Sequence, residues 1–328
     1  MKALGLPTVP GTEGLLEDVK QASSAAAEVG YPVLLKATAG GGGKGMRHCA
    51  DEGALERGFA EAALEAEKVF GNPGLYLEKV VVGARHVEFQ ILADRLGSAI
   101  HLGERDCSVQ RRHQKLLEEA PSPALDPATR ERMGRRCCEA ALEMGYSSAG
   151  TMEFLLDRDG QLHFMEMNTR IQVEHPVTEM VTGVDIVQQQ IRIAANEPLS
   201  IRQDEVTPSG HAIEFRINAE DPEQGFRPDP GELTRFEPPE GQGLRVDTHV
   251  ERGYRIPPFY DSLIAKLIVL GEDRSQAVEK ARGALEAFHV AGVATTIPLH
   301  RRLLAEPAFR DGSYDTQWLE GLLDAAEA

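Results

Sequence analysis

A run of four glycines at residues 40–43 follows a short apolar segment, residues 33–38, that predicts a buried strand. Lys36 lies in the strand, Lys44 follows the glycines, and a helical pattern runs from Asp51 to about Phe70. Glycine lets backbone amides approach an anion closely, and the two lysines favour phosphate over the alternative of a flexible surface loop. The loop lacks the Gly-Lys-Ser/Thr ending of a Walker loop and the spacing of a dinucleotide fingerprint. The sequence therefore predicts a phosphate-binding loop of another type.

Alternation and turn residues predict further strands and helices along the chain. Strands are predicted at residues 75–79, 85–93, 98–104, 150–156, 161–167, 211–219, 232–236, 244–249 and 263–270. Helices are predicted from Asp126-Pro127 to about Met144, at about 176–196 and at about 273–288. Residues 98–104 are expected to pair with 85–93, and 161–167 with 150–156, through short turns. Residues 105–120 are polar and predicted to be irregular, and the proline-containing stretch at 197–210 predicts a domain boundary.

Composition limits the classes of function. The 328 residues suggest two or three domains at about 150 residues each. With 35 basic and 52 acidic residues, the formal net charge of −17 repels a phosphate backbone, so no nucleic-acid partner is expected. No apolar run approaches the roughly 20 residues of a membrane span, and no signal peptide is visible, so no membrane partner is expected. Four cysteines without Cys-x-x-Cys spacing predict reduced, packed thiols in a cytoplasmic protein: Cys49, Cys107, Cys137 and Cys138.

A polar segment at residues 166–174 contains the strongest candidates for chemistry. If the segment is extended, its polar residues share one face: Glu166, Asn168, Arg170, Gln172 and Glu174. Glu153 lies on the other arm of the predicted hairpin, close to Glu166. Carboxylate and amide oxygens are the ligands that Mg²⁺ prefers, and two carboxylates without a cation would raise each other's pKa. We therefore expect a metal site here, with a solvated strand surface as the alternative.

Weaker candidates lie elsewhere. Residues 78–81 could border an adenine pocket through backbone groups. Residues 110–115 are the one dense basic cluster, and they predict either a solvated loop or a site for phosphate or bicarbonate. His86, on a strand face, is more typical of a structural residue. Arg216 lies beside Glu214, where a structural ion pair is the simpler interpretation.

Taken together, these motifs resemble the biotin carboxylase family of the ATP-grasp superfamily. The resemblance covers nearly the whole chain and rests on several strings: Lys36-Ala37 with the glycine loop, residues 104–108, 110–115, 166–176, 215–222 and 260–262. The string from Arg170 to His175 separates this family from most other ATP-grasp enzymes. The resemblance implies an α+β protein. Residues 1–80 would form a lead-in and the small ATP-grasp subdomain, with a mobile lid at about 32–80. Residues 81–200 would form the large antiparallel-sheet subdomain, and residues 206–328 a C-terminal α/β domain.

The resemblance also implies roles for individual residues. Contacts to ATP would come from Lys36, Gly42, Gly43, Glu78, Lys79, Val80, Val81, His86 and His113, with Gln110 in the same ligand-binding group. The metal ligands, for Mg²⁺ or alternatively Mn²⁺, would be Glu153, Glu166 and Asn168. Bicarbonate would contact Lys115, Arg170, Gln172 and Val173. Glu174 would deprotonate bicarbonate, and Arg216 would stabilise the biotin enolate.

The implied reaction is ATP- and bicarbonate-dependent carboxylation of biotin through carboxyphosphate. Biotin would be presented by a carrier protein or domain, because the biotin-bearing Met-Lys-Met motif is absent from this sequence. The implied partners are that carrier, a carboxyltransferase component and a second copy in a homodimer. The setting would be an acyl-CoA carboxylase such as acetyl-CoA carboxylase, in fatty acid biosynthesis. The family has a further N-terminal domain, and residues 1–5 resemble the sequence just after it, so that domain is expected to be missing.

Two alternatives come from other classes of protein. One is a nucleotide-binding module without activity of its own, which the expected lack of the N-terminal domain favours. The other is a different ATP-grasp ligase, such as part of a carbamoyl phosphate synthetase. The string at residues 172–175 and the segment after Gly210 argue against the second alternative.

Overall fold

The computed structural model describes residues 1–40 and 45–327. The predicted nucleotide contacts Gly42 and Gly43, with Lys44 and most of the predicted mobile loop, lie outside the described residues. Within the described part of the chain, no helix combines the length and the apolar composition that crossing a membrane requires. All four cysteines are buried and free, as predicted.

The N-terminal part forms a small sheet covered by two helices. Its elements are α1 (Val19–Val29), β1 (Val33–Ala37), β2 (Met46–Cys49), α2 (Glu52–Phe70) and β3 (Leu75–Lys79). The strands are antiparallel in the order β2-β1-β3. The side chains of Asp18 and Asp51 cap the two helices by accepting hydrogen bonds from backbone amides in the first turn. The strands predicted at 33–38 and 75–79 and the helix from Asp51 are confirmed, whereas the alanine-rich α1 was not predicted.

The middle of the chain supplies most of a second, larger sheet. Its elements are β4 (Arg85–Ala93), β5 (Ala99–Arg111), β6 (Gln114–Ala120), α3 (Pro127–Glu143), β7 (Ser148–Leu156), β8 (Leu162–Asn168), α4 (His175–Thr182) and α5 (Ile186–Ala194). The remaining elements are β9 (His211–Asn218), β10 (Glu220–Asp221), β11 (Arg227–Pro228), β12 (Arg235–Glu237), β13 (Leu244–Thr248), β14 (Leu263–Gly271), α6 (Arg274–Ala287), β15 (His289–Ala291), α7 (Ile297–Leu303), α8 (Pro307–Arg310) and α9 (Trp318–Glu327). Short 3₁₀ helices lie at Lys2–Leu4, Gln203–Glu205 and Pro222–Gln224.

Within the described residues, the large sheet has eight antiparallel strands in the order β13-β14-β9-β6-β5-β4-β7-β8. The α+β class is therefore confirmed. The predicted domain boundary at residues 197–210 does not interrupt the large sheet, because β9, which follows this stretch, pairs with β6, which precedes it. Strands from both sides of the stretch thus build one surface.

The two faces of the large sheet are buried in different ways. On one face, Phe89 packs with Met133 of α3, and Phe215 packs in a second cluster with residues of α6. On the opposite face, Glu88 and Gln90 are fully buried. The alternation predicted for residues 85–93 is confirmed. Both faces of β4 are buried. The polar face of the sheet lies beneath α4 and the segment that precedes α4.

Three sequence predictions are wrong. Residues 105–120 are not irregular: β5 continues to Arg111 and β6 begins at Gln114, because the polar residues are buried and paired across strands. The extended segment predicted at 166–174 ends at Asn168, so residues 170–174 do not alternate on a strand. The single helix predicted at 176–196 is two helices, since Gly183 ends α4 in a left-handed conformation and Asp185 caps α5.

Candidate functional site

The strand register brings charged residues side by side on the polar face of the large sheet. Glu153 lies opposite Glu166 on β8 and opposite Glu88 on β4, and Glu88 in turn lies opposite Arg105 on β5. Four adjacent strands therefore contribute one row of charges. Beyond this row, Glu118 of β6 lies opposite Glu214 of β9. The sheet itself positions these side chains.

Lys115 connects the row to the segment that follows β8. Its Nζ donates to Glu88 Oε2 at 2.6 Å, Glu153 Oε1 at 3.2 Å and Glu174 Oε1 at 2.5 Å. Burial alone would lower the pKa of Lys115, but the surrounding anionic groups raise it well above its usual value. Lys115 is therefore a fixed cation within a group of carboxylates.

The three predicted metal ligands come together. Asn168 Nδ2 lies 2.9 Å from Glu153 Oε1 and 3.5 Å from Glu166 Oε1. His86 Nε2 lies 3.1 Å from Glu153 Oε2. Burial would raise the pKa of Glu153, but hydrogen bonding with His86 and the charges of His86 and Lys115 lower it further than burial raises it. An ionised carboxylate in such a set of oxygens suits a hard divalent cation.

Glu88 is a further buried carboxylate at this site that the sequence reasoning missed. Burial would raise its pKa, but the charges of Lys115 and Arg105 lower it to about 2. Glu88 also lies with His86 and Glu153 in a group whose ligand atoms are within 4.8 Å of one another. Its alternation with His86 and Gln90 was visible in the sequence, but its partners were not.

Arg105 is a second residue whose role the sequence reasoning did not assign. Its guanidinium is fully buried and donates to Glu88 Oε1 at 2.6 Å and to Gln172 Oε1 at 3.1 Å. Gln172 Nε2 donates in turn to Glu153 Oε1 at 2.7 Å. Although residues 170–174 are not a strand, Arg105 therefore holds this segment over the charged row.

Glu174 lies between two cations. Its Oε1 accepts the hydrogen bond from Lys115, and its Oε2 lies 3.0 Å from Arg216 Nη2. Burial and Glu88 would raise the pKa of Glu174, but the charges of Lys115, Arg216 and Arg105 together lower it. Glu174 is thus a buried carboxylate that is ionised at neutral pH.

Arg216 does not pair with Glu214 as the simpler interpretation of the sequence supposed. Its Nε donates to Glu118 Oε1 at 2.6 Å, in addition to the contact with Glu174. Burial would lower the pKa of Arg216, but Glu118 and Glu174 raise it. The arginine is therefore a permanent cation at the border between the two halves of the chain.

Two predicted bicarbonate contacts lie differently from the rest of the cluster. Arg170 is exposed, and its guanidinium donates to the Ile171 carbonyl at 3.2 Å. The Val173 carbonyl accepts a hydrogen bond from Lys266 Nζ at 2.8 Å. Among the residues that the structure describes, Arg170 therefore makes no hydrogen bond or ion pair with the cluster, whereas Val173 is held at its edge.

The predicted nucleotide contacts of the small sheet are held by one another and by the backbone. Lys36 Nζ donates to Glu78 Oε2 at 2.7 Å across β1 and β3. Lys79 Nζ donates to the carbonyls of Gly30 and Tyr31 at 2.6 and 3.0 Å. The Val80 amide donates to the Pro32 carbonyl at 3.0 Å, and the next residue, Val81, is partly exposed.

The basic segment at 110–115 is the tip of the hairpin between β5 and β6. Arg112 and His113 form its turn with φ values of 48° and 64°, in a left-handed region that side chains rarely adopt. Gln110 is buried on the strand and Lys115 reaches the charged row, while His113 is exposed at the tip. The structure thus divides this segment, and Lys115 contacts the cluster directly.

Comparison with known proteins agrees with this architecture. Residues 1–202 match the family described as carbamoyl-phosphate synthase L chain, ATP binding domain, and residues 214–321 match the biotin carboxylase C-terminal domain. Biotin carboxylase from Nostoc sp. is 55% identical over 98% of this chain and 72% of its own length. The 2-oxoglutarate carboxylase small subunit of Hydrogenobacter thermophilus is 55% identical over 98% of this chain and 68% of its own length.

Solved structures give the same result. The biotin carboxylase domain dimer of the H. thermophilus 2-oxoglutarate carboxylase, in complex with MgADP, ADP and bicarbonate, has a TM-score of 0.93 at 54% identity. The biotin carboxylase–β,γ-ATP complex from Campylobacter jejuni has a TM-score of 0.94 at 44% identity. Each comparison covers 98% of this chain and 71% of the other. The fold is therefore that of an ATP-grasp ligase. Within that class, the chain belongs to the biotin carboxylase family.

Proposed function

We propose that this chain carboxylates biotin with ATP and bicarbonate through carboxyphosphate. The observation that carries the proposal is the position of Glu174. One carboxylate contacts both Lys115 and Arg216, at 2.5 and 3.0 Å. A base that deprotonates one substrate and an arginine that stabilises the anion of another are therefore adjacent in one buried cluster.

The residues at the charged row fit Mg²⁺, because Glu153, Glu166 and Asn168 offer carboxylate and amide oxygens from neighbouring strands. Bound there with ATP, Mg²⁺ would neutralise the charge of the phosphate oxygens. Lys36 and the glycine loop would hold the phosphates from the small sheet. Residues 78–81, His86, Gln110 and His113 are proposed as the remaining contacts of the nucleotide site.

The first step is phosphoryl transfer to bicarbonate. Lys115, Arg170, Gln172 and the Val173 backbone would position bicarbonate, and Glu174 would accept its proton. A bicarbonate oxygen then attacks the γ-phosphorus, the bond to the β-phosphate oxygen breaks, and ADP leaves. Because the cluster is buried, water is kept from the labile carboxyphosphate that results.

The second step is carboxyl transfer to biotin. Carboxyphosphate gives CO₂ and phosphate, and the phosphate takes the proton from the ureido nitrogen. Negative charge then develops on the ureido oxygen, and Arg216 would stabilise it electrostatically. The nitrogen attacks CO₂ and forms carboxybiotin.

The organisation and partners belong to the same proposal. Residues 1–80, 81–200 and 206–328 would act as small subdomain, large subdomain and C-terminal domain. The small subdomain is supported by an apolar cluster of its own, which runs from Leu16 to Leu77. The partners would be a biotin carrier protein or domain, a carboxyltransferase and a second copy of the chain, in a cytoplasmic acyl-CoA carboxylase of fatty acid biosynthesis. Co-purification with an acyl-CoA carboxyltransferase tests that setting, and a partner acting on pyruvate or 2-oxoglutarate contradicts it.

The test separates the two steps. Glu174→Gln removes the base, so bicarbonate-dependent ATP cleavage should fall about 10²–10⁴-fold. Arg216→Ala should largely preserve that cleavage while carboxybiotin formation collapses, because the enolate charge appears only after carboxyphosphate has formed. ATP cleavage and carboxybiotin are measured separately in the purified protein.

Arg192, which pairs with Glu197 on the surface, gives a matched control as Arg192→Ala, which should keep both activities. Parallel loss of both activities in a folded Arg216→Ala protein that binds ATP would assign Arg216 a structural role instead. Absence of bicarbonate-dependent cleavage in the unmodified protein would favour the inactive nucleotide-binding module.

A further inference from the structure

Two buried glutamates lie next to Arg216 and take no part in the two proposed reaction steps. Glu118 and Glu214 are directly opposite each other on β6 and β9, and both are fully buried. Side chains opposite each other in an antiparallel pair have Cβ atoms about 4.5–5.5 Å apart. This pair could not be predicted from the sequence, because 96 residues separate its members and the strand pairing brings them together.

The hydrogen bonds of the pair are incomplete in a specific way. Glu118 Oε1 accepts from Arg216, but Glu118 Oε2 has no hydrogen-bond partner among the described residues. Both oxygens of Glu214 likewise have no partner in that part of the chain. Three carboxylate oxygens without donors are expensive in a buried site, and a single proton on Glu214 supplies the missing donor.

The surroundings offer little compensation for a second negative charge. On the other side of Glu214, β14 contributes Ile268, and α4 contributes Val177 and Val181 to the same apolar cluster. The charged groups that face the pair are Arg216 on β9, Lys266 on β14, Lys115 on β6 and Glu174 before α4. Of these, Lys266 Nζ donates to the Val173 carbonyl and lies 3.5 Å from Asp247, and Lys115 contacts three other carboxylates. The charged residues of α4 are engaged elsewhere, since Glu179 pairs with Arg245 and lies 3.8 Å from His175.

We propose that Glu118 and Glu214 share one proton, held on Glu214, and that the pair is a positioning element for Arg216. The shared proton leaves Glu118 as a singly charged carboxylate that fixes the guanidinium. Without the shared proton, Glu214 would also be negatively charged, two residues from Arg216 and on the same face of β9. That second buried charge would repel the negative charge that develops on the biotin enolate. The proposal rests on the function proposed above for Arg216.

The titration of the two groups agrees with this geometry. Burial, followed by the charge of Glu118, raises the pKa of Glu214 well above its ordinary value. Burial also raises the pKa of Glu118, to about 6, although the charge of Arg216 lowers it. Two carboxyl groups on directly opposite residues titrate as a pair. Each loss of a proton is therefore a property of the pair and not of Glu118 or Glu214 alone.

The first test detects the proton itself. Infrared spectra of the purified protein, with and without ¹³C-labelled glutamate, should show the C=O stretch of a protonated carboxylic acid at pH 7. The band should disappear at alkaline pH and be absent from Glu214→Gln. Absence of a protonated glutamate band at pH 7 in the unmodified protein overturns the proposal, and this measurement depends on no variant and on no enzymatic activity.

The second test links the proton to chemistry. In the unmodified protein, carboxybiotin formed per ATP cleaved should fall about tenfold or more as the infrared band titrates, because one uncompensated charge then faces the developing anion. Glu214→Gln is permanently neutral, so its ratio should stay level over the same pH range. Glu279→Gln, an exposed glutamate on α6, should follow the unmodified protein. If the ratio in Glu214→Gln declines with pH as in the unmodified protein, the proposal is wrong.

Two further outcomes are distinguishable. If Glu214→Gln does not fold, Glu118→Gln should shift the band and abolish carboxybiotin formation while ATP cleavage continues, and loss of both activities in parallel contradicts the proposal. If the unmodified protein shows no bicarbonate-dependent ATP cleavage at any pH, the proposed function fails, while the infrared band still decides whether the proton is shared.

Discussion

The guanidinium of Arg105 holds together residues from three separate segments of the chain. It donates to Gln90 on β4, Thr151 on β7 and Thr178 on α4, as well as to Glu88 and Gln172. A lysine at this position would keep the charge but could not reproduce a planar fork that reaches acceptors on several sides. Arg105 is therefore expected to fix the geometry of the site without acting on substrate.

This role predicts a large effect of a conservative change. Arg105→Lys should lower the free energy of unfolding by about 2–4 kcal/mol, because several buried acceptors lose their donors. Urea unfolding at neutral pH gives the value. Arg235→Lys is the matched control, since Arg235 is half exposed and pairs with Glu237 on the surface, and its effect should be about 0–1 kcal/mol. An equally small effect at Arg105 would contradict the role assigned to it.

At the scale of elements, Glu119 joins β6, β9, α6 and the segment after α8. It accepts hydrogen bonds from His211 Nε2 at 2.6 Å, Arg274 Nε at 2.7 Å and the Tyr314 hydroxyl. Burial would raise the pKa of Glu119, but hydrogen bonds from His211 and Arg274, with their charges, lower it to about 2. The carboxylate thus stabilises the packing of four elements only while it is ionised.

The stability of this junction should depend on pH in a defined window. A lowered pKa stabilises the fold above the ordinary value of 4.5, and that stabilisation is lost as pH falls from 4.5 to about 2. The loss should be about 3 kcal/mol, at roughly 1.4 kcal/mol per pKa unit. Glu118 works in the opposite direction, but only between 4.5 and about 6, so it does not interfere.

Glu119→Gln isolates this contribution. The variant should be less stable at pH 7, but its free energy of unfolding should fall less steeply than that of the unmodified protein between pH 4.5 and 2. Chemical denaturation at a series of pH values measures both slopes. Equal slopes would show that Glu119 is not the titrating group.

The elements also show which parts of the fold the sequence could predict. Strands with apolar alternation, such as residues 85–93, and helices with aspartate caps, such as the one after Asp126, were predicted within a few residues of their bounds. Residues 105–120 were not, because their polarity was interpreted as exposure to solvent. The partners that make a buried charge acceptable are distant in sequence: Glu88 is 17 residues from Arg105, and Gln172 is 67.

The same limit applies to the candidate site. The convergence of Glu153 and Glu166 could be predicted, because a short hairpin places both residues on one face. The position of Glu174 beside Lys115 could not be derived from alternation, since the strand ends at Asn168 and the following segment is held by Arg105. Family resemblance supplied these residues by motif, and the contacts now give a physical reason for their arrangement.

At the scale of the whole molecule, the large sheet joins the two halves of the chain through β6 and β9. Leu117 of β6 lies opposite Phe215 of β9, and both belong to the apolar cluster that also contains α6 residues. Separating the halves would break this strand pair, expose the cluster and remove Arg216 from Glu118 and Glu174. The large sheet is therefore expected to unfold as one cooperative unit, although the chain contains several apolar clusters.

A core substitution in one half should thus destabilise the other half equally. Met133 on α3 is buried with Phe89 in a cluster of the first half. Trp318, the only tryptophan in the chain, lies in the second half and packs against the cluster that contains Phe215 and the α6 residues. Met133→Ala should lower the free energy of unfolding by about 2–5 kcal/mol through the cavity it leaves. The urea midpoint of Trp318 fluorescence should fall together with the midpoint for alkylation of Cys137, followed by mass spectrometry. Met144→Ala, which truncates a methionine that is 41% exposed just after α3, should move neither midpoint appreciably. If Met133→Ala moves the Cys137 midpoint and leaves that of Trp318 unchanged, the halves unfold independently and the β6–β9 pair does not couple them.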